Sequence, residues 1–216
     1  MNHHPEPTLL EQYAAGTLPL SFAMCVSVHL NFCARCRIEL RTLQNLGGQL
    51  FEELAPIPVD ASLLQAVLNK IDDAADAEAV SSRETTAAAH AVPKPLRHLI
   101  PAGYDALHWT TMLPWVRVAN LAGDDDGKHH LAVHRIRAGS KLPRHDHRSQ
   151  EITLVLNGSF SDEYGIYGDG DFILRGPSQV HSPLIAQNED CICLSAQSAP
   201  LRFTQPVWRL LSPFLT

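Results

Sequence analysis

The 216-residue chain carries 17 Lys and Arg against 23 Asp and Glu, for a net charge of −6 with its 12 histidines neutral. Hydrophobic content of 45% is ordinary for a soluble globular protein, and no apolar run reaches the roughly 18 to 20 residues that a membrane-spanning helix needs. The acidic balance argues against nucleic acid as a direct partner, since DNA binders present a basic surface.

The charge is uneven. Residues 1–78 hold four Lys/Arg and ten Asp/Glu, and everything after them is neutral. Such an acidic front steers toward basic partners. The opening MNHHPEP lacks the basic and apolar regions of a secretory signal, so the chain reads as cytoplasmic. The five cysteines are Cys25, Cys33, Cys36, Cys191 and Cys193. An odd count in a reducing compartment points to metal binding or free thiols rather than disulfides.

The front third reads helical. Thr8, with Glu11 three residues on, forms a capping box for a first helix that Gly16 ends. Residues 19–29 and 34–46 are two further helical stretches, the second stopping at Gly47-Gly48. Asp60 caps a fourth, with Leu63, Leu64, Val67, Leu68 and Ile71 on one stripe and Asp72, Asp73, Asp76 and Glu78 opposite. Residues 1–78 are thus expected to form a helical domain, followed by a polar, alanine-rich linker at 79–100.

HLNFCARC, residues 29–36, sets His29, Cys33 and Cys36 on a four-then-three spacing. On one helix the three share a face. Equally, the histidine ends one helix and the CxxC turn opens the next. Both arrangements converge an imidazole and two thiolates, a donor set suited to zinc, which takes four ligands in structural sites. His4 ahead of the first helix is the candidate fourth, with His3 as rival, and Cys25 reads as core. A closed zinc site would hold together helices whose own core is too small.

His4, HLNFCARC and YAAGTL at 13–18 together resemble the zinc-binding anti-sigma domain of the ChrR family. The resemblance implies His4, His29, Cys33 and Cys36 as the zinc ligands. It also implies a partner, an RNA polymerase sigma factor of the extracytoplasmic-function type.

From about residue 107 the periodicity changes. Stretches HLAVHRIRAG, EITLVLNGSF, GDFILRG and DCICLSAQ read as short strands, with hairpin turns at Asn157-Gly158 and GDGD. Close spacing of short strands indicates an antiparallel β-barrel or jelly roll over 101–200, with 201–216 as a tail packed on it. His145 and His147, two apart, point to one face of a strand, and Glu151 follows at an even step. With His181, three imidazoles and a carboxylate make a site for a second divalent metal. Zinc, iron, manganese and nickel all fit, and zinc is the ion expected. His90, His98, His108, His129 and His130 fall in no ligand pattern.

Gly139, His145, His147, Glu151 and Gly158 resemble the complete first cupin motif. The second motif is partial. Gly170 and His181 hold their places, but Gly176 stands where proline is usual, Ser178 where glycine is usual and Ile185 where asparagine is usual. Cys191 and Cys193 share a face of a late strand, and a plain packed pair is the expectation. In the ChrR family a cysteine pair lies in this region.

The expected fold class is therefore α + β, a zinc-stabilised helical bundle followed by a cupin. The order of parts resembles ChrR over most of the chain. That resemblance implies a non-enzymatic anti-sigma factor that releases sigma on singlet oxygen or organic hydroperoxides. The alternative is a metal-dependent cupin enzyme, a dioxygenase or isomerase, with the helical part serving assembly.

Overall fold

A computed structural model describes residues 1–78, 92–123, 129–198 and 202–203. Four helices come first. Helix α1 (Pro7–Ala14) starts at Pro7, whose fixed φ suits the first helical position; Glu6 precedes it and gives no side-chain cap. The expected Thr8 cap is thereby displaced into the helix. Gly16 ends α1 as expected, at φ +68°, with Thr17 N–H donating to Gln12 O across 3.0 Å.

Helix α2 (Leu20–Phe32) is apolar nearly all round and buries Phe22, Cys25, Val26, Val28 and Leu30. Such a helix needs cover on several sides. Helix α3 (Ala34–Glu52) follows after Cys33 alone. It runs straight through Gly47-Gly48, where a stop was expected. Glycine costs a helix about 1 kcal/mol per residue but does not forbid it. Helix α4 (Leu63–Glu78) is preceded by Asp60, whose carboxylate accepts from the Ser62 backbone N–H and hydroxyl.

Eleven strands follow among the described residues: β1 (Thr110–Leu113), β2 (Val116–Gly123), β3 (His130–Ile136), β4 (His145–Asp146), β5 (Glu151–Asn157), β6 (Phe160–Asp162), β7 (Gly165–Tyr167), β8 (Phe172–Arg175), β9 (Leu184–Ile185), β10 (Cys191–Gln197) and β11 (Arg202–Phe203). All pairings are antiparallel. One sheet runs β1-β2-β3-β10-β5-β8, a second runs β7-β6-β9, and β4 pairs with β11. Among the described residues the sheets do not close into a continuous hydrogen-bonded barrel. They form a cupin-type sandwich instead.

The large sheet is buried on both faces, which is why β5 and β10 read as nearly unbroken apolar runs rather than as an alternation. Leu131, Val133, Ile152, Leu154, Ile192, Leu194 and Ala196 lie on the face that α2 covers and share one core with Leu10, Phe22, Val26 and Cys36. Leu96 and Ile100, inside the stretch expected as linker, are buried in that core too. The opposite face, with Val155, Ile173, Cys191 and Cys193, packs against Phe160, Tyr167 and Ile185 of the small sheet. Helix and sheet are thus joined through side chains, not only through the chain.

Of the expected tail, Arg202–Phe203 pairs with β4, and the rest lies outside the described residues.

Candidate metal centres

His29 lies in the last turn of α2, and Cys33 is the single residue between α2 and α3. The second local arrangement is the one adopted: histidine closes one helix and CxxC opens the next. The Cys36 N–H donates to Cys33 Sγ at 3.4 Å, so the thiol caps α3. His4 comes in from the other side, with Nδ1 3.4 Å from Cys33 Sγ and 3.5 Å from Cys36 Sγ, while His29 Nε2 lies 3.3 Å from Cys36 Sγ. All four donor atoms fall within 4.8 Å of one another. His3, the rival, turns away and stacks its ring against Tyr167 at 4.6 Å.

The donor set fits zinc. Tetrahedral Zn–N and Zn–S bonds of about 2.05 and 2.3 Å place nitrogen and sulfur about 3.6 Å apart, close to the separations here. Burial pushes the Cys36 thiol up to about 12, with Cys33 adding to the effect, and burial lowers His29. A divalent cation reverses the first effect, because bound cysteine is a thiolate, and favours the same neutral imidazole as the second.

In the β-domain, His145 stands on β4, His147 just beyond it, and His181 ahead of β9, bridged to His145 by backbone pairing. His145 Nε2 and His147 Nε2 lie 2.9 and 3.1 Å from His181 Nε2. Each ring is held from behind through Nδ1. His145 donates to Pro143 O at 2.8 Å, His147 to Glu151 at 2.7 Å and His181 to Asp162 at 2.9 Å. With Nδ1 of each ring engaged, the three Nε2 atoms converge on one point, an arrangement suited to a divalent cation. Burial, reinforced by His181, takes His145 down to about 4, which keeps its ring neutral over most of the pH range.

Glu151 is not among the converging donors. It sits behind His147 as a carboxylate that orients the imidazole, the place an orienting partner takes behind a metal-ligating histidine. Burial, the largest single influence, would raise its pKa, but the bond from His147 and the attraction of His147, His145 and His134 together outweigh it and hold the carboxyl below the ordinary range. Spacing on a strand showed that Glu151 shares the histidines' face but not which atom it reaches.

Three participants escaped the sequence reading. Asp162 has a fully buried side chain that takes the proton of His181 Nδ1 and a bond from Arg175 at 3.2 Å. His134 donates to or accepts from Ser195 Oγ at 2.7 Å within the same cavity. Asp171 receives the N-terminal strand near the front cluster. None carries a spacing signal, although alternation along β3 puts His134 on the face of Ile136. The cavity beside His145 and His181 has an apolar side formed by Met112, Ile136, Leu142, Phe160 and Ile185, while Glu151, Thr153, His134, Ser195 and Cys193 also line its wall. Cys25 is core, as expected, and burial raises its thiol. Cys191 and Cys193 are buried with sulfurs 3.5 Å apart; that contact and burial raise Cys193 well above its usual range.

Fold and sites define a cupin fused to a helical His/Cys clamp. Residues 100–200 match the family model described as the ChrR cupin-like domain. The anti-sigma-E factor ChrR of Cereibacter sphaeroides is 35% identical over 214 residues, covering 99% of this chain and 98% of that protein. The crystal structure of Rhodobacter sphaeroides SigE in complex with the anti-sigma ChrR superposes with a TM-score of 0.78 at 33% identity, over 91% of this chain and 99% of that one. An RmlC-like cupin from Ralstonia eutropha is 20% identical with a TM-score of 0.43, over 49% of this chain and 71% of that one. The chain belongs to the ChrR family.

Proposed function

We propose that this protein is an anti-sigma factor that sequesters a sigma factor of the extracytoplasmic-function type and releases it on oxidative signals such as singlet oxygen or organic hydroperoxides. Membership of a family whose curated member is named an anti-sigma-E factor supports this, as does the solved SigE complex. The observation within this chain that carries it is an uncovered apolar surface. Leu50, Phe51, Leu54, Ile57, Leu64 and Ile71 are each between 57% and 85% exposed along the end of α3, its connection and α4. A run of that extent marks a partner site. Leu64, Val67, Leu68 and Ile71 offer the one-face spacing of a helix laid in a groove. The acidic balance of residues 1–78 complements a basic partner.

In this reading His4, His29, Cys33 and Cys36 hold a structural zinc that fixes the start of α3, and with it the direction in which the apolar face points. His145, His147 and His181 hold a second divalent ion, zinc by expectation, with Glu151 and Asp162 orienting their imidazoles. The β-domain receives the signal, and the helical part holds the partner. Direct DNA binding has no place in this reading. No described helix is long and apolar enough to cross a membrane, and the proposed site of action is the cytoplasm.

Titration of the full chain with a sigma factor of this type from the same organism tests the reading. A stoichiometric complex is expected, weakened at least tenfold by Cys33→Ser with Cys36→Ser. Full-affinity binding by that double variant refutes the zinc's role. The cavity that opens beside His145 and His181 favours a second reading, a cupin dioxygenase or isomerase. Turnover of a small substrate without sigma capture would establish it.

A further inference from the structure

The front cluster is completed by the β-domain. His29 donates from Nδ1 to the carbonyl of Gly170, 141 residues later, at 2.8 Å. Gly170 sits at φ +80° in the turn between β7 and β8, and a Cβ there would meet Phe32 Cβ at 2.8 Å. The next residue, Asp171, is buried. Its Oδ1 accepts from Asn2 N–H at 2.7 Å and His3 N–H at 3.0 Å, and its Oδ2 accepts from Gly168 N–H at 2.9 Å. Phe172 N–H donates to His3 O at 3.1 Å. The N-terminal segment that delivers His4 is therefore pinned through the N–H and O of His3 and the N–H of Asn2 by one turn of the cupin.

The same turn reaches the second site. His3 stacks on Tyr167. The Tyr167 hydroxyl donates to Asp162 at 3.3 Å, and Asp162 accepts from His181 Nδ1. Asp162 on β6, Tyr167 on β7 and the turn 168–172 make one arm. One end orients a histidine of the cupin centre, and the other orients two histidines of the front centre.

We propose that Asp171 and Gly170 are positioning residues of the His4/His29/Cys33/Cys36 centre, so that its grip on a metal ion depends on the β7–β8 turn of the cupin. Gly170 O selects the His29 tautomer that leaves Nε2 for the ion. Asp171 holds residues 2 and 3 so that His4 meets the two thiols without ordering a free strand first. The inference rests on the metal-binding part of the function proposed above and not on sigma capture. It gives the two centres a physical connection, the arm that runs from Asp162 through Tyr167 to the β7–β8 turn.

The test uses the full chain loaded with Co²⁺. Thiolate-to-cobalt charge-transfer absorption arises only at a sulfur-containing centre, so it reads the front site while total bound cobalt reads both. Competition with a chelator is followed at the charge-transfer band for wild type, Asp171→Asn and Gly170→Ala. Loss of an outer partner costs about 10- to 100-fold in metal affinity. Each variant is expected to lose the band at about tenfold or more lower chelator, while cobalt at the three-histidine centre is retained. An unchanged midpoint in Asp171→Asn overturns the inference, as does equal loss from both centres, which reports general unfolding. Wild type without the band defeats the metal reading itself, a failure distinct from that of Asp171 and Gly170.

Discussion

Glu151→Gln separates two roles for the carboxylate at the cupin centre. Glu151 Oε2 lies 2.7 Å from His147 Nδ1, with both side chains buried, at 10% and 3% exposure. Glutamine keeps the shape and an accepting oxygen but loses the charge. A hydrogen bond to a charged group contributes about 1.5 to 3 kcal/mol, against about 0.5 to 1.5 for a neutral one. The difference of about 1.4 kcal/mol corresponds to about a tenfold loss of metal affinity at this centre, within the span expected for an orienting partner. The assay is chelator competition on the full chain, with metal counted by mass spectrometry and the front centre followed through its thiolate absorption. A direct ligand would behave otherwise. A loss well beyond about 100-fold in Glu151→Gln places the carboxylate in the donor set itself and refutes the geometry argued above. No loss at all refutes any role in metal binding.

Leu64→Asp with Leu68→Asp puts charge on a face that is 68% and 44% exposed, so the fold is expected to stand while sigma affinity falls by about 2 kcal/mol or more, measured by calorimetry. Leu194→Ala removes a fully buried side chain from the core shared by α2 and the large sheet. It is expected to cost about 2 to 5 kcal/mol in urea unfolding and to destabilise helices and sheet together. The metal-free protein is expected to lose stability in mild acid. His145 is neutral when folded down to about 4, whereas the unfolded chain takes up its proton near the ordinary imidazole value of 6.5. Between those values the unfolded state binds more protons, so stability falls as pH drops from about 6.5 to about 4. Thermal unfolding of His145→Asn, which lacks that titration, is expected to depend less on pH across the same window.

Local spacing by itself determines part of this protein. His29, Cys33 and Cys36 converge because seven residues of helix, turn and helix leave little freedom. His145 and His147 share a face because a strand alternates. The four helices and most strands follow from period and punctuation, although Pro7 set a helix start that Thr8 was expected to set, and Gly47-Gly48 did not break α3. That His4 and not His3 converges with His29, Cys33 and Cys36 follows only from folding, since Asp171 holds the N-terminal segment from 168 residues away. Glu151 as a partner of His147 rather than a converging donor, Asp162 behind His181, and the core that unites α2 with β5 and β10 have the same origin. Each is a contact between segments far apart in the chain, fixed by strand register and sheet packing. A one-residue change of register would turn every such side chain to the opposite face.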